Sequence, residues 1–497
     1  MAPSASPQTG ETPEEAQRET TNGLVAVLAL AGVTVALMQT IVIPLIPELP
    51  RLLHASAADT SWAITATLLA AAVATPVMGR LGDMYGKRRA LLTSLALLVS
   101  GSVVGALSDS LAPMIVGRTL QGLAAGVIPL GISIMRDELP AQRLGSATAL
   151  MSASLGVGGA LGLPTAAFLA QNTDWHVLFW GAAGMGALAA VLVLTLVPES
   201  RIRTGGRFDM VGAVGLSAAL VSLLLAISKG ADWGWASPLT LGLLATAAIV
   251  LVLWGRWELR TAQPLVNLRA TTRRQVLLTN IASAVFGFAM FANSLVMPQV
   301  LQLPESTGYG LGASMVTVGL VMGPSGLVMM VMAPVSAYIT RTRGPKVTLM
   351  VGALVVATGY GVSIGLMSAI WQLMLVSTTI GAGIGLAYGA MPALIMGAVP
   401  VSETAAANSF NTLMRSVGTS MASAVAGVVL AQMTTALGPI ELPSQNGFRT
   451  VMAIGAGAAL VAFTIASFLP GKRPDTAAAA QPEPGARAVA ETRTETA

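Results

Sequence analysis

Residues 78–101 read MGRLGDMYGKRRALLTSLALLVSG, and residues 336–359 read SAYITRTRGPKVTLMVGALVVATG. Each stretch is the end of one apolar run, a short basic turn, and the start of the next run. Gly86 aligns with Gly344 and Gly101 with Gly359; further along, Gly122 and Gly126 fall opposite Gly381 and Gly385, and Gly158 opposite Gly418. The separation stays between 258 and 260 residues throughout. Two six-helix halves related by such a repeat are the arrangement of membrane proteins whose site lies between the halves.

Composition points to the same solvent. The 497 residues are 54% hydrophobic and only 10% charged, where a soluble chain carries roughly 25% charged residues. A lipid-facing surface excludes such charges. Apolar runs of spanning length begin near Gly23, Ser61, Ala90, Ala112, Gly145, Val177, Met210, Pro238, Val276, Leu311, Val347, Trp371, Ala405 and Val451. Each can cross a hydrocarbon core of about 30 Å. The reading is an all-α integral membrane protein. It has a six-helix bundle over 23–198, two inserted helices with their loops over 199–260, and a second six-helix bundle over 261–470. Residues 1–22 are polar and acidic, and 471–497 are rich in Ala, Pro, Glu and Thr; both are expected to be disordered tails.

Basic residues set the orientation. With the N-terminus inside, the inner loops hold seventeen Lys and Arg, including Arg80, Lys87, Arg88, Arg89, Arg136, Arg143, Arg341, Arg343 and Lys346; the outer loops hold three, Arg51, Lys229 and Arg449. Both termini are therefore expected on the cytoplasmic side. With no cysteine and only two histidines, His54 and His176, disulfides are excluded and a metal site has little to work with. No HExxH, nucleophile elbow or Gly-Lys-Ser/Thr phosphate loop is present, so the chain reads as no enzyme and no ATPase. The basic balance sits in short loops between apolar runs and does not suggest nucleic acid.

Three motifs carry more specific chemistry. The turn Gly79-Arg80-Leu81-Gly82-Asp83-Met84-Tyr85-Gly86-Lys87-Arg88-Arg89 has glycines for a tight turn, an Asp that can accept hydrogen bonds from a helix N-terminus, and a basic cluster suited to anionic headgroups. Arg118, in Gly117-Arg118-Thr119-Leu120-Gln121-Gly122, lies inside an apolar run, where a charge costs about 2.5–3.5 kcal/mol on insertion scales and so faces a cavity or a partner. Gly156 to Pro164 places Gly158, Gly162 and Pro164 on a helix of small residues suited to close packing. Together these resemble the major facilitator superfamily, and within it the fourteen-helix drug:proton antiporters. The first run is similar to the superfamily's G-x-L-x-D-x-x-G-[RK]-[RK] motif, with Met84 where a basic residue is usual. The second resembles its helix-4 motif, whose Arg is tied to proton coupling. The third resembles its antiporter motif, with the proline one position late. The Asp209-x-x-Gly212 start of the seventh run and Arg415-Ser416-Val417-Gly418 add to the likeness. Gln39 stands where family members often carry an acid.

The resemblance implies a gating turn (Gly79, Asp83, Gly86, Lys87, Arg88) and a central cavity between the halves, with no cofactor and the proton gradient as energy source. All 22 acidic residues fall in tails, loops or helix ends. The candidates for proton coupling are then Arg118 with Asp59, Glu48 or Asp83. Gln39, Thr40, Arg118, Gln121, Phe288, Phe291, Asn293, Ser294, Tyr388, Asn411 and Arg415 are the cavity candidates, with Asn408 beside them. Arginine without carboxylate in the cavity predicts neutral or anionic substrates. The function expected is export of drug-like molecules or antibiotics by alternating access, as proton antiport, from a monomer in the bacterial inner membrane. A facilitator or uptake system is the alternative, and a transporter-like sensor a remote one.

Overall fold

A computed structural model describes residues 13–42, 45, 48–437 and 440–470. Among these, fourteen helices are long and apolar enough to cross a membrane. In the first half they are α1 (Pro13–Thr40), α2 (Trp62–Tyr85), α3 (Lys87–Ala106), α4 (Leu111–Glu138), α5 (Ala141–Asn172) and α6 (His176–Leu196). The inserted pair is α7 (Met210–Trp233) and α8 (Pro238–Arg260). The second half holds α9 (Arg274–Gln302), α10 (Met315–Arg343), α11 (Pro345–Ser363), α12 (Ile370–Met396), α13 (Thr404–Gln432) and α14 (Gln445–Ser467). In lipid each backbone polar group must be satisfied within the span, which only a helix or a closed barrel achieves. Where helix ends leave N–H groups free, side chains cap them: Asp209, Ser237, Ser314 and Ser444 accept from the amides of Gly212, Thr240, Thr317 and Gly447. An even number of spans puts both ends of the chain on one face, called here the terminal face.

Most helices open within four residues of the expected positions; α14 opens six residues early, at Gln445. Two expectations need correction. The first helix starts at Pro13, so 13–22 are helical where a tail was expected; 1–12 and 471–497 lie outside the described residues. Lys229 is not in an outer loop. It lies in the last turns of α7, buried, hydrogen-bonded to Ser61 and to Asp232 at 3.1 Å. A buried ammonium needs such partners, and the bond to Ser61 ties α7 to the foot of α2.

Each half has its own apolar core, one built on Leu28, Leu91, Leu98 and Phe179, the other on Phe286, Val356, Tyr360 and Phe448. The repeat recurs as packing. Gly158 of α5 lies against Ala36 of α1, and Gly418 of α13 against Ala284 of α9. Gly122 of α4 faces Thr67 of α2, and Gly381 of α12 faces Ser325 of α10. Gly86 and Gly344 end α2 and α10 at φ 122° and 90°, a backbone region that disfavours other residues. The halves meet along two seams, α5 against α10 and α2 against α13. The inserted pair lies against the second seam through Leu216, Leu220 and Leu224 of α7, with Ala72 of α2 and Leu413 of α13. Outermost is α8, with Leu241, Ile249, Val252 and Leu253 exposed.

Candidate functional site

At the terminal face the α2–α13 seam is bolted. Asp83, fully buried, accepts from the amides of Ala405 (3.2 Å) and Ala406 (2.8 Å), the first turn of α13. A carboxylate at a helix N-terminus meets unpaired N–H groups and the positive end of the helix dipole. Lys87, also buried, bonds Asp137 at 2.7 Å and lies 3.9 Å from Asp83; Ser200 donates to Asp137 at 2.5 Å. Arg136 reaches across from the first half to the carbonyls of Met396 (2.8 Å) and Val399 (3.2 Å) and the Thr404 hydroxyl (2.5 Å). Gly79 lets α2 touch Ser409 and Ala405, where a Cβ would overlap both. The gating turn thus joins the two halves. Its basic residues do not form the headgroup patch expected from sequence: Lys87 is buried, Arg88 donates to the carbonyl of Leu194 at the end of α6, and among the three only Arg89 is well exposed.

Arg118 is buried inside the first half, not in the cavity between halves. It donates to the carbonyls of Met38 (2.9 Å) and Ala63 (3.3 Å) and to Gln121 Oε1 (2.7 Å), while Gln121 donates to Ser102 (2.9 Å). These bonds join α1, α2, α3 and α4. Among the described residues no carboxylate takes part. The other acids named for proton coupling are at the opposite face: Glu48 pairs with Arg51 at 2.9 Å, both exposed, and Asp59 accepts from Ser56 at 2.7 Å.

Between the halves lies a cavity of about 220 Å³. Gln39 and Thr40 of α1 and Asn293 and Ser294 of α9 line it. Gly156, Gly159 and Ala160 of α5 form one wall, and Met315, Met322 and Met329 of α10 another. Gln302 ends α9 and Met315 starts α10, so the cavity reaches the face opposite the bolted one. It carries no ionisable side chain among its lining residues. The antiporter-motif helix supplies close contacts: Gly162 lies against Thr40, Thr40 Oγ1 donates to the Gly158 carbonyl at 3.3 Å, and Pro164 packs on Gly319.

The remaining candidates sit outside this cavity. Gln121 belongs to the Arg118 network. The Tyr388 ring lies 4.7 Å beneath the Arg415 guanidinium, and its hydroxyl points to the sulfur of Met290, which does line the cavity. Phe288 packs into the second core and Phe291 is half-buried. Asn411 donates to Asn280 at 2.9 Å, and Asn408 to the Thr404 carbonyl at 3.0 Å in its own helix. Sequence reasoning missed the methionines. The signal was there: Met315, Met322 and Met329 recur every seven residues, which keeps them on one helix face.

Two bundles around a cavity that reaches one face, while the other face is held shut by side-chain bonds, can exchange which face is open. That makes the protein a small-molecule transporter. Residues 28–423 match the Major Facilitator Superfamily, and the chain belongs to it. It is 29% identical over 466 residues to the tetracenomycin C resistance and export protein of Streptomyces glaucescens, covering 90% of this chain and 84% of that protein. It is 22% identical to multidrug resistance protein 3 of Bacillus subtilis, covering 76% and 73%. The human organic anion transporter MFSD10 shares the fold at 15% identity and a TM-score of 0.62, covering 92% of this chain and all of that one. So does the proton:xylose symporter XylE, at 14% identity and 0.63, covering 92% and 97%.

Proposed function

We propose that this protein exports neutral, drug-like small molecules by alternating access in exchange for protons. It acts as a monomer in a bacterial inner membrane, with the terminal face cytoplasmic. The observation that carries the reading is the uncharged cavity between two halves whose terminal face is shut. Amide, hydroxyl and thioether groups suit a ligand with an apolar body and scattered carbonyls or hydroxyls, and flexible methionines accommodate varied shapes. Tetracenomycin C resistance and multidrug resistance in the relatives point the same way. The anionic bias expected from arginines loses its local cause, because neither Arg118 nor Arg415 lines the cavity. Ligand pockets usually hold about 300–1,000 Å³, so a substrate of that size needs the halves to part.

Proton coupling falls to Asp83. Of the acids considered, it alone is buried at a joint between halves, and protonating it weakens its hold on the first turn of α13. In proteoliposomes with an imposed pH gradient and an internal pH-sensitive dye, a neutral polycyclic compound should discharge the gradient, and Asp83→Asn should abolish the discharge. Transport without proton flux would make the protein a facilitator, the reading favoured by the absence of any carboxylate in the cavity.

A further inference from the structure

A second and larger cavity, of about 420 Å³, opens at the terminal face, away from the central one. Its wall is composite. Arg80 comes from α2, Asn280 from α9, Phe410 from α13, Glu403 from the link before α13, and Arg203 and Ala262 from the segments of chain that flank the inserted pair. Arg80 is only 8% exposed. Among the described residues its side chain forms no hydrogen bond and no ion pair; Asp83 acts on it only through space. Asn280 is 2% exposed, and its amide oxygen is taken by Asn411 while its amide nitrogen donates to nothing. A buried amide N–H left without an acceptor costs about 1–3 kcal/mol, and the Arg80 guanidinium has no protein acceptor among the described residues. Both border the same cavity.

The donors there await an acceptor. Arg203 at the mouth adds a second guanidinium. One carboxylate, Glu403, also lines the wall, where Asn267 donates to it at 3.2 Å. Two guanidinium groups against one carboxylate leave the cavity positive, and N–H donors supplied by separate elements suit a group with several oxygens.

We propose that this cavity binds a phosphate group, with Arg80 and the Asn280 amide as its buried donors and Arg203 at the entrance. The phosphate belongs either to a soluble phosphate compound or to the headgroup of an anionic lipid in the same leaflet. Since Arg80 sits on the first half and Asn280 on the second, an occupant bridges the seam beside Asp83. It therefore stabilises the state in which this face is shut, and slows the conformational cycle. The site is separate from the cavity between the halves, and its occupancy is read without any transported compound, so it stands or falls independently of the export reading.

The full-length protein in nanodiscs of zwitterionic phosphatidylcholine, in phosphate-free buffer, is titrated with inorganic phosphate while unfolding is followed by tryptophan fluorescence. Sulfate-free chloride at matched ionic strength is the control. A parallel set uses nanodiscs with one third phosphatidylglycerol. The expected result is a saturable rise in melting temperature of several degrees in one of the two sets. Phosphate in phosphatidylcholine identifies a soluble ligand, and phosphatidylglycerol alone identifies a lipid. Arg80→Gln should lose the rise and Arg256→Gln, an exposed arginine on the same face, should keep it. Ala262→Trp, which fills the mouth from an exposed loop position and leaves both donors in place, should lose it as well and covers the case in which Arg80→Gln does not fold. No rise in either set, or a rise that Ala262→Trp retains, overturns the proposal.

Discussion

In the first half Asp83 lies in the last turn of α2 and Lys87 opens α3; at the matching positions of the second half stand Arg341, in the last turn of α10, and Pro345, which opens α11. In the first half Arg118 and Gln121 fill the core between α1, α2, α3 and α4; their counterparts in the second are Ser377 and Ile380, with Tyr360 in the place of Ser102. Tyr360 donates to the Ala289 carbonyl, and Ser377 accepts from Asn293 at 3.3 Å. The glycine contacts recur in both halves, and the charged bonds of Asp83, Lys87 and Arg118 do not. Packing that any such bundle requires is thus duplicated, while the bolt on the terminal face is built once. An arginine at the end of α10 could not cap α5 as Asp83 caps α13, because a helix N-terminus repels a cation.

The largest effect should be the one the halves share. Gly158→Leu and Gly418→Leu each force a side chain into the backbone of the neighbouring helix, at Ala36 and Ala284. Overpacking of side chains alone costs about 1–3 kcal/mol, and here the backbone itself must move. Both variants should lose the single symmetric peak on size-exclusion in mild detergent. Tolerance in one half and not the other would break the equivalence.

Next come the cores, where the halves should differ. Arg118→Met keeps the volume but strands the carbonyls of Met38 and Ala63 and the amide of Gln121. Bonds to a charged donor are worth about 1.5–3 kcal/mol each, against about 1 kcal/mol for a neutral one. The melting temperature should therefore fall several times further for Arg118→Met than for Ser377→Ala. Arg118→Lys should not rescue it, since one ammonium cannot span the same three acceptors in one plane.

The gate gives a third contrast. With no cysteine in the chain, a single Ser409→Cys, buried against Gly79, reports on opening of the terminal face. Adding Asp83→Asn should raise its labelling rate by about tenfold, the effect of losing roughly 1.4 kcal/mol from the closed state. Adding Arg341→Gln should leave the rate within twofold. Equal acceleration by both would mean that the bolt does not depend on Asp83.

The same contrast separates what the sequence makes legible from what it does not. The spans, their number and the repeat were legible because lipid imposes length and apolarity residue by residue, and because helix contacts at Gly122, Gly158, Gly381 and Gly418 tolerate only small residues. Gln39, Thr40, Asn293 and Ser294 were legible as polar residues in apolar runs. The partners of Arg118 were not, because they are backbone carbonyls, which every residue has. Lys229 was misplaced because its partners include Ser61 and the ring of Trp62, at the start of a helix far away in sequence. Nor could sequence show that Asp83 meets α13, some 320 residues on, since an acceptor for a helix N-terminus leaves no mark on that helix.

The smallest effect tests where the two halves become alike again. Arg88 donates to the carbonyl of Leu194 near the end of α6, and Lys346 to the carbonyl of Ser467 at the end of α14, at 2.6 Å for the latter. Each cation sits at the C-terminal end of the last helix of its half, where free carbonyls and the helix dipole favour it by about 0.3–1 kcal/mol. Arg88→Gln and Lys346→Gln should each lower the melting temperature slightly and by the same amount within error. The loss should shrink in high salt, because screening weakens a partly exposed charge. A large loss for Arg88→Gln alone would place Arg88 in the bolt with Lys87, and the division between duplicated support and single gate would have to be drawn one residue later.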